Sequence, residues 1–301
     1  MGPLALPPCS SRALPALAAA LALALPAEAA AQEASAAART PDVHFVPTDT
    51  TKVREMLSAA NVSASDVVYD LGCGDGRFVI TAVKKYKARR GVCVDIDPVR
   101  IKESRSNADT AGVVSKIEFV EGDLFEQDLS KASVVTLYLL PSLNVRLRPK
   151  LFEELRPGTR VVSNAFDMGD WKADHTMTVK TNSGMQSYAY LWIIPADVSG
   201  QWRLTTEGGG AREHTLDVKQ KYQEVSGTAT SGGKATPLTN FTVKGDKIAF
   251  TLGEGADRAE FTGTVRGDKA SGTAKGKGGS WKWSASRTKP GDRAELKSEG
   301  T

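Results

Sequence analysis

Residues 67–78 read VVYDLGCGDGRF, an apolar run that ends in an acid, Asp70, and passes into glycines at 72, 74 and 76. A glycine-rich turn between a buried strand and a helix lets the backbone approach a ligand closely, and two ligand classes use it. Dinucleotides rest a pyrophosphate on the helix N-terminus with the spacing G-x-G-x-x-G, and here Arg77 stands where the third glycine would fall. A carboxylate at Asp70, with Asp75 adding a second negative charge, disfavours a pyrophosphate and suits a ligand that carries an ammonium group.

Two further acids follow in order. Asp95 ends the run GVCVDID, where a carboxylate can accept from both ribose hydroxyls, and Asp123 in EGDLF is placed to accept from an adenine amino group with Leu124 against the ring. Alone, each is a common strand-end or capping residue. On three successive strand ends they describe an adenosine site, because ligands of open α/β sheets bind at those carboxyl ends. An adenosine joined to an amine and a cationic sulfur is S-adenosylmethionine, and Cys73 in the glycine loop and Ile96 beside Asp95 join the expected cofactor contacts.

These acids need strands and helices in alternation, and the chain supplies them from about 49 to 198. TKVREMLSAA and RFVITAVKKY have helical spacing, while VVYDL, GVCVDI, KIEFVEG, SVVTLYLL and TRVVSNAF are short apolar strands. Asp97-Pro98 offers an N-cap and a first-turn proline. The pattern predicts a doubly wound α/β domain over 32–198, its sheet ending in a hairpin of TMTVKT and SYAYLWIIPA. After Ser199 the composition changes: most of the 28 glycines lie there, helical periodicity ends, and short strands alternate with turn clusters. FTVKGDKIAF is echoed by FTGTVRGDKASG, as in successive hairpins, so 199–288 is expected to form a small antiparallel barrel or sandwich. The tripeptide RGD at 266–268 is explained by a turn, and 289–301 is expected to be a loose tail.

Upstream, Arg12 precedes an Ala/Leu-rich run ending in small residues near Ala29–Ala31, which predicts a signal peptide over 1–31 and an exported, periplasmic or secreted protein; a disordered start and a cytoplasmic chain remain open. The apolar run is shorter than the roughly 20 residues a bilayer requires. Cys9 would leave with the signal, and Cys73 and Cys93 are expected as two free thiols, one in the loop and one in the next strand. The +4 formal charge is too weak to argue for nucleic acid. His44, His175 and His214 show no metal-ligand spacing, and no G-x-S-x-G elbow is present, so neither a metal nor a serine hydrolase is expected.

DLGCGDGR, VDIDP and EGDLF resemble the first three motifs of class I S-adenosylmethionine-dependent methyltransferases over about residues 44–198. VPTDTTKVREML before YDLGCGDGR resembles the small lysine methyltransferases related to those acting on the ATP synthase c-subunit, and also a group of exported bacterial proteins. The resemblance implies that Asp70 and Gly72 face the methionine portion, Gly74 gives backbone room, Asp95 holds the ribose and Asp123 the adenine, and Pro47 and Thr48 close over the cofactor. The Asn-Pro-Pro-Tyr of enzymes that methylate planar amino groups is replaced by Tyr138-Leu139-Leu140-Pro141, which speaks against a nucleic-acid base as acceptor.

Methyl transfer from a sulfonium chiefly needs an in-line, neutral nucleophile. Tyr138, Asn164 and Asp167 follow strands four and five and are the candidate acceptor-side residues, each with a structural alternative as core or turn residue. The expected activity is N-methylation of a protein amine, lysine foremost. A catalytically silent envelope-binding module stays open, since export separates the chain from cytoplasmic S-adenosylmethionine.

Overall fold

The computed structural model describes Gly2, residues 41–207 and residues 213–292; the expected signal segment apart from Gly2, the GGG cluster at 208 and the last nine residues lie outside them. Helix α1 (Thr50–Ala59) starts where Asp49 Oδ1 accepts from the Thr51 and Lys52 N–H groups at 2.8 and 3.3 Å. It buries Val53, Met56 and Leu57, one face at the i, i+3, i+4 spacing. Strand β1 (Val67–Leu71) is buried along its whole length, as a strand covered on both faces must be. Then come α2 (Arg77–Lys85), β2 (Arg90–Asp95) and α3 (Pro98–Thr110), the last opened by Asp97 capping the Val99 N–H at 2.8 Å with Pro98 in the first turn.

β3 (Ile117–Glu121), β4 (Val134–Leu137), α4 (Pro141–Glu154) and β5 (Arg160–Asn164) complete the parallel part, and β6 (His175–Lys180) and β7 (Gln186–Ile193) form the expected hairpin. The sheet order is β3-β2-β1-β4-β5-β7-β6, with β7 antiparallel to β5 and β6. Alternate residues of β1 feed two apolar clusters: Val68 joins Val53, Leu57, Val79 and Cys93 on one face, while Tyr69 and Leu71 join Val92, Leu147 and Leu151 on the other. Order reverses between β1 and β4, which opens a crevice at their carboxyl ends.

The second sheet has nine antiparallel strands: β8 (Gly200–Glu207), β9 (Glu213–Lys221), β10 (Glu224–Ser231), β11 (Lys234–Pro237), β12 (Thr239–Lys244), β13 (Lys247–Leu252), β14 (Ala259–Arg266), β15 (Lys269–Gly276) and β16 (Gly279–Pro290). Its order is β11-β10-β9-β8-β16-β15-β14-β13-β12, and β10 curls round to lie against β12, so the sheet is barrel-like. The echoed segments are the β12–β13 and β14–β15 hairpins, each turning at a glycine with φ +57° (Gly245, Gly267). RGD is the second of these turns, and its Asp268 holds Arg287 at 2.9 Å. The last strand reaches Pro290, into the stretch expected to be a loose tail, because Lys289 and Pro290 pair with Gln201 and Gly200.

The sheet has its own apolar core, with Trp202, Leu204, Phe250, Phe261 and Trp283, and this core also takes in Ala196 and Val198 from before Ser199. It meets the first sheet at Gly245, where a Cβ would come 3.8 Å from the Ile193 side chain of β7, and through Tyr222, which is buried in the first sheet's cluster.

Candidate functional site

Asp70 closes β1 on the crevice side and is 3% exposed. The Thr136 hydroxyl, from β4, donates to its Oδ1 at 2.6 Å, while Oδ2 is buried and has no donor among the described residues. Burial pushes the Asp70 carboxyl up to about 8; Thr136 opposes this, and nearby Asp95 and Asp75 add to it. An orphaned buried carboxylate oxygen costs free energy unless a donor reaches it, and a ligand ammonium is such a donor.

The loop after β1 is drawn over β2: the Gly72 and Cys73 N–H groups both donate to the Val94 carbonyl, at 2.9 and 3.0 Å. That curl places Cys73 above Cys93, with Cα atoms 5.3 Å apart, and the two form a disulfide. The expectation of two free thiols is therefore corrected. Assigning one cysteine to a loop and the other to a strand suggested separation, but the loop folds back across the neighbouring strand, within bridging distance. Cys73 thus staples the glycine loop rather than merely filling it.

Gly74 has φ +54°, and its N–H donates to Asp95 Oδ2 at 2.8 Å. Asp95 Oδ1 accepts from the Asp97 N–H at 3.0 Å. Burial raises the Asp95 carboxyl against these two N–H groups, which favour its anion. Each oxygen keeps a second lone pair for a hydroxyl donor. The next acid is linked by backbone, since the Gly122 N–H donates to the Asp95 carbonyl at 3.0 Å; Asp123 Oδ1 accepts from the Phe125 N–H at 2.9 Å, and Leu124 packs on the apolar cluster beneath. Asp70, Asp95 and Asp123 therefore stand on adjacent strand ends, and Ile96 lies half-buried beside Asp95.

Asp75 does not add free negative charge as the sequence suggests. Arg77 Nε donates to its two oxygens at 2.9 and 3.2 Å, and the same guanidinium reaches the Thr48 carbonyl. The buried Asp70 carboxyl, pushed up to about 8, is neutral at pH 7 until a cation reaches it. Thr48 is buried, Pro47 exposed, and Phe45 covers the loop so closely that a Cβ at Gly74 would come within 2.2 Å of its ring. Arg100 lies 4.8 Å over that ring. Phe45 and Thr136 are contacts that sequence reasoning missed; an aromatic ahead of Val46-Pro47 and a threonine in an apolar strand carry no motif.

Of the three expected acceptor-side residues, Asn164 ends β5 and its amide donates to Thr48 Oγ1 at 2.9 Å, tying the segment before α1 to the end of β5. Tyr138 stacks with Phe166 at a centroid distance of 6.3 Å. Asp167 is exposed and accepts from the Gly169 N–H at 3.1 Å, the turn role that was its structural alternative. Asn144 braces this segment by donating to the Phe166 and Asp167 carbonyls at 3.3 and 3.1 Å. Lys52, not anticipated, is buried with its amine on Ser187 Oγ, and burial lowers it to about 8.

Among the described residues, no group of three or more His, Cys, Asp and Glu could hold a metal ion, and no helix is long and apolar enough to cross a membrane. The orphaned Asp70 Oδ2, the glycine loop and the strand-end acids fit an amine-bearing adenosine ligand.

Comparison with known proteins agrees with this geometry. Residues 70–175 match the model of the ANTKMT methyltransferase domain. A protein-lysine N-methyltransferase of Saccharolobus islandicus is 45% identical over 154 residues, covering 51% of this chain and 95% of that protein. The lysine N-methyltransferase of the ATP synthase c-subunit from Xenopus laevis is 32% identical over 131 residues, covering 44% of this chain and 57% of that enzyme, so the match spans less than two thirds of it. A crystal structure of an RNA methyltransferase from Salinibacter ruber in complex with S-adenosyl-L-homocysteine is 52% identical, covers 51% of this chain and 96% of that one, and has a TM-score of 0.48.

The class that fold and site define is the S-adenosylmethionine-dependent methyltransferases. Within it, the chain belongs to the family that contains the Saccharolobus protein-lysine N-methyltransferase. The nine-stranded sheet lies beyond the residues matched by the family model.

Proposed function

We propose that the chain transfers a methyl group from S-adenosylmethionine to the ε-amine of a lysine in a protein acceptor. The observation that carries this reading is the buried, unpartnered Asp70 Oδ2 at the head of a glycine loop, in a chain 45% identical to a protein-lysine N-methyltransferase. The bound cofactor supplies a methyl group activated by a cationic sulfur. Asp70 takes its ammonium, Asp95 its ribose hydroxyls and Asp123 its adenine amino group. Gly72 and Gly74 let the backbone approach, with Cys73, Ile96 and Leu124 lining the site and Pro47 and Thr48 covering it.

Tyr138, Asn164 and Asp167 form the acceptor-side wall. A lysine must be neutral to attack: the exposed carboxylate at Asp167 draws its ammonium form to the site, and the proton passes to bulk solvent before transfer. The aromatic pair Tyr138–Phe166 offers π-faces to the aliphatic stem and to the methylated ammonium.

We also propose that the protein is exported, its first 31 residues serving as a signal. The Cys73–Cys93 disulfide supports this, since such bridges persist mainly in oxidising compartments. The experiment is transfer of labelled methyl from S-adenosylmethionine to protein, RNA and small-molecule fractions of the source cell, followed by mass spectrometry of labelled peptides. Label on lysine ε-nitrogen is expected, and label confined to RNA would overturn the acceptor assignment. N-terminal sequencing of the mature chain checks export: a start near Ala31 is expected, and an intact Met1 refutes it.

A further inference from the structure

The β9–β10 hairpin leaves the second sheet and inserts its tip, Lys221–Glu224, beneath the loop that follows Asn164. Each residue of the tip engages that loop. Lys221 Nζ lies 3.1 Å from Asp170 Oδ2, and the Tyr222 hydroxyl donates to Asp170 Oδ1 at 2.9 Å. Gln223 does two things at once: its Oε1 accepts from the Trp171 indole at 2.8 Å and its Nε2 donates to the Lys172 carbonyl at 2.7 Å. Glu224 pairs with Lys172 at 2.9 Å.

Behind these bonds lies an aromatic block. Tyr222 is 3% exposed with φ +55°, the left-handed backbone that the first residue of a two-residue hairpin turn takes. Its ring stacks on Phe152 at 5.7 Å and Trp171 at 5.9 Å, and Trp171 meets Phe152 at 4.5 Å. Arg148 of α4 donates to the Met168 carbonyl at 2.9 Å and to Asp170 at 2.6 Å, with its guanidinium 5.1 Å above the Tyr222 ring. The loop 165–172 is thus held by α4 from one side and by the second sheet from the other. By contrast, the described partners of Asp70 and Asp95 all come from the first sheet and its loops.

We propose that Tyr222 and Gln223 are positioning residues for methyl transfer: the second sheet sets the conformation of loop 165–172, and through it acceptor binding, while leaving cofactor binding to the first sheet. This rests on the reading that Asn164–Asp167 line the acceptor side. It gives the C-terminal sheet a function that a spacer would not have.

The test compares full-length wild type with Tyr222→Phe, which keeps the ring and removes only the hydroxyl, with Gln223→Ala, and with the double variant. Three quantities are read: S-adenosylmethionine and S-adenosylhomocysteine affinity by calorimetry, acceptor KM and kcat with whichever cell fraction the wild type labels, and amide hydrogen exchange across 165–172. The expected result is unchanged cofactor affinity, an acceptor KM raised roughly tenfold in the double variant, and faster exchange confined to the loop. Gln223→Glu retains an acceptor for the Trp171 indole and should recover part of the loss. Cofactor affinity falling in step with activity would overturn the proposal, since the tip would then support the whole domain. Unchanged exchange in the double variant would overturn it without any acceptor. Wild-type label on RNA alone would refute the lysine reading and still allow the KM comparison.

Discussion

Cofactor binding should release a proton from Asp70. Burial disfavours its anion and pushes the carboxyl up to about 8, with the Thr136 hydroxyl its one side-chain donor among the described residues. At pH 7 such a group is protonated in roughly nine molecules of ten. An ammonium brought to Oδ2 favours the anion, so binding at pH 7 should expel the better part of one proton per ligand. Affinity should rise by nearly tenfold per pH unit below about 7 and more shallowly as pH approaches 8, where the competing proton is lost and the ligand's own ammonium begins to titrate. Calorimetry at one pH in phosphate and in Tris, whose ionisation enthalpies differ, reads the proton number as the slope of apparent enthalpy. Asp70→Asn supplies the control: it has no proton to release, and it should lose about 1.5–3 kcal/mol of affinity with the charge-assisted bond. A wild-type slope equal to that of Asp70→Asn, with cofactor still bound, would refute the reasoning.

Reducing the Cys73–Cys93 bridge opens a loop with a sequence separation of 20, and chain entropy puts its contribution at about 3 kcal/mol. Denaturant unfolding with and without a dithiol reductant should show a loss of that order, and thiol-specific alkylation of the native chain without reductant should label neither cysteine. Asp95→Ala should weaken cofactor binding by about 1–3 kcal/mol, and also loosen the Gly74 N–H it holds, without unfolding the domain; unchanged affinity by calorimetry would remove Asp95 from the site. Asp66 is buried, which raises its carboxyl, but Ser133, Arg160 at 2.8 Å and the Ser63 N–H bring it below the ordinary value overall. A lowered folded-state pKa contributes stability above the unfolded value near 3.9 that is lost as pH falls through the folded value. Asp66→Asn should therefore be less stable than wild type at pH 7, and the gap should close under acid titration followed by circular dichroism.

Much of the cofactor half was legible because it is local. A glycine with positive φ between strand and helix, an acid at each strand end and Asp97-Pro98 at a helix start are decided by a few adjacent residues. The proposed acceptor side was less legible: Asn164 at the end of β5 and Tyr138 and Asp167 in the loops after β4 and β5 lie apart in sequence, and, while a turn role was open for Asp167, nothing near Asn164 foretold that it would bind Thr48.

Sequence alone determined the strand and helix alternation, the cofactor class and the change to an antiparallel sheet after Ser199, since periodicity and turn chemistry depend on neighbours along the chain. Tertiary structure decided the pairings between distant residues. Cys73 meets Cys93 because the loop folds over β2, Arg77 neutralises Asp75 while gripping Thr48, and Trp171 lies 1% exposed against Tyr222 from the second sheet. Those contacts depend on sheet order and on how two sheets pack, and such non-local geometry leaves no short-range pattern to read.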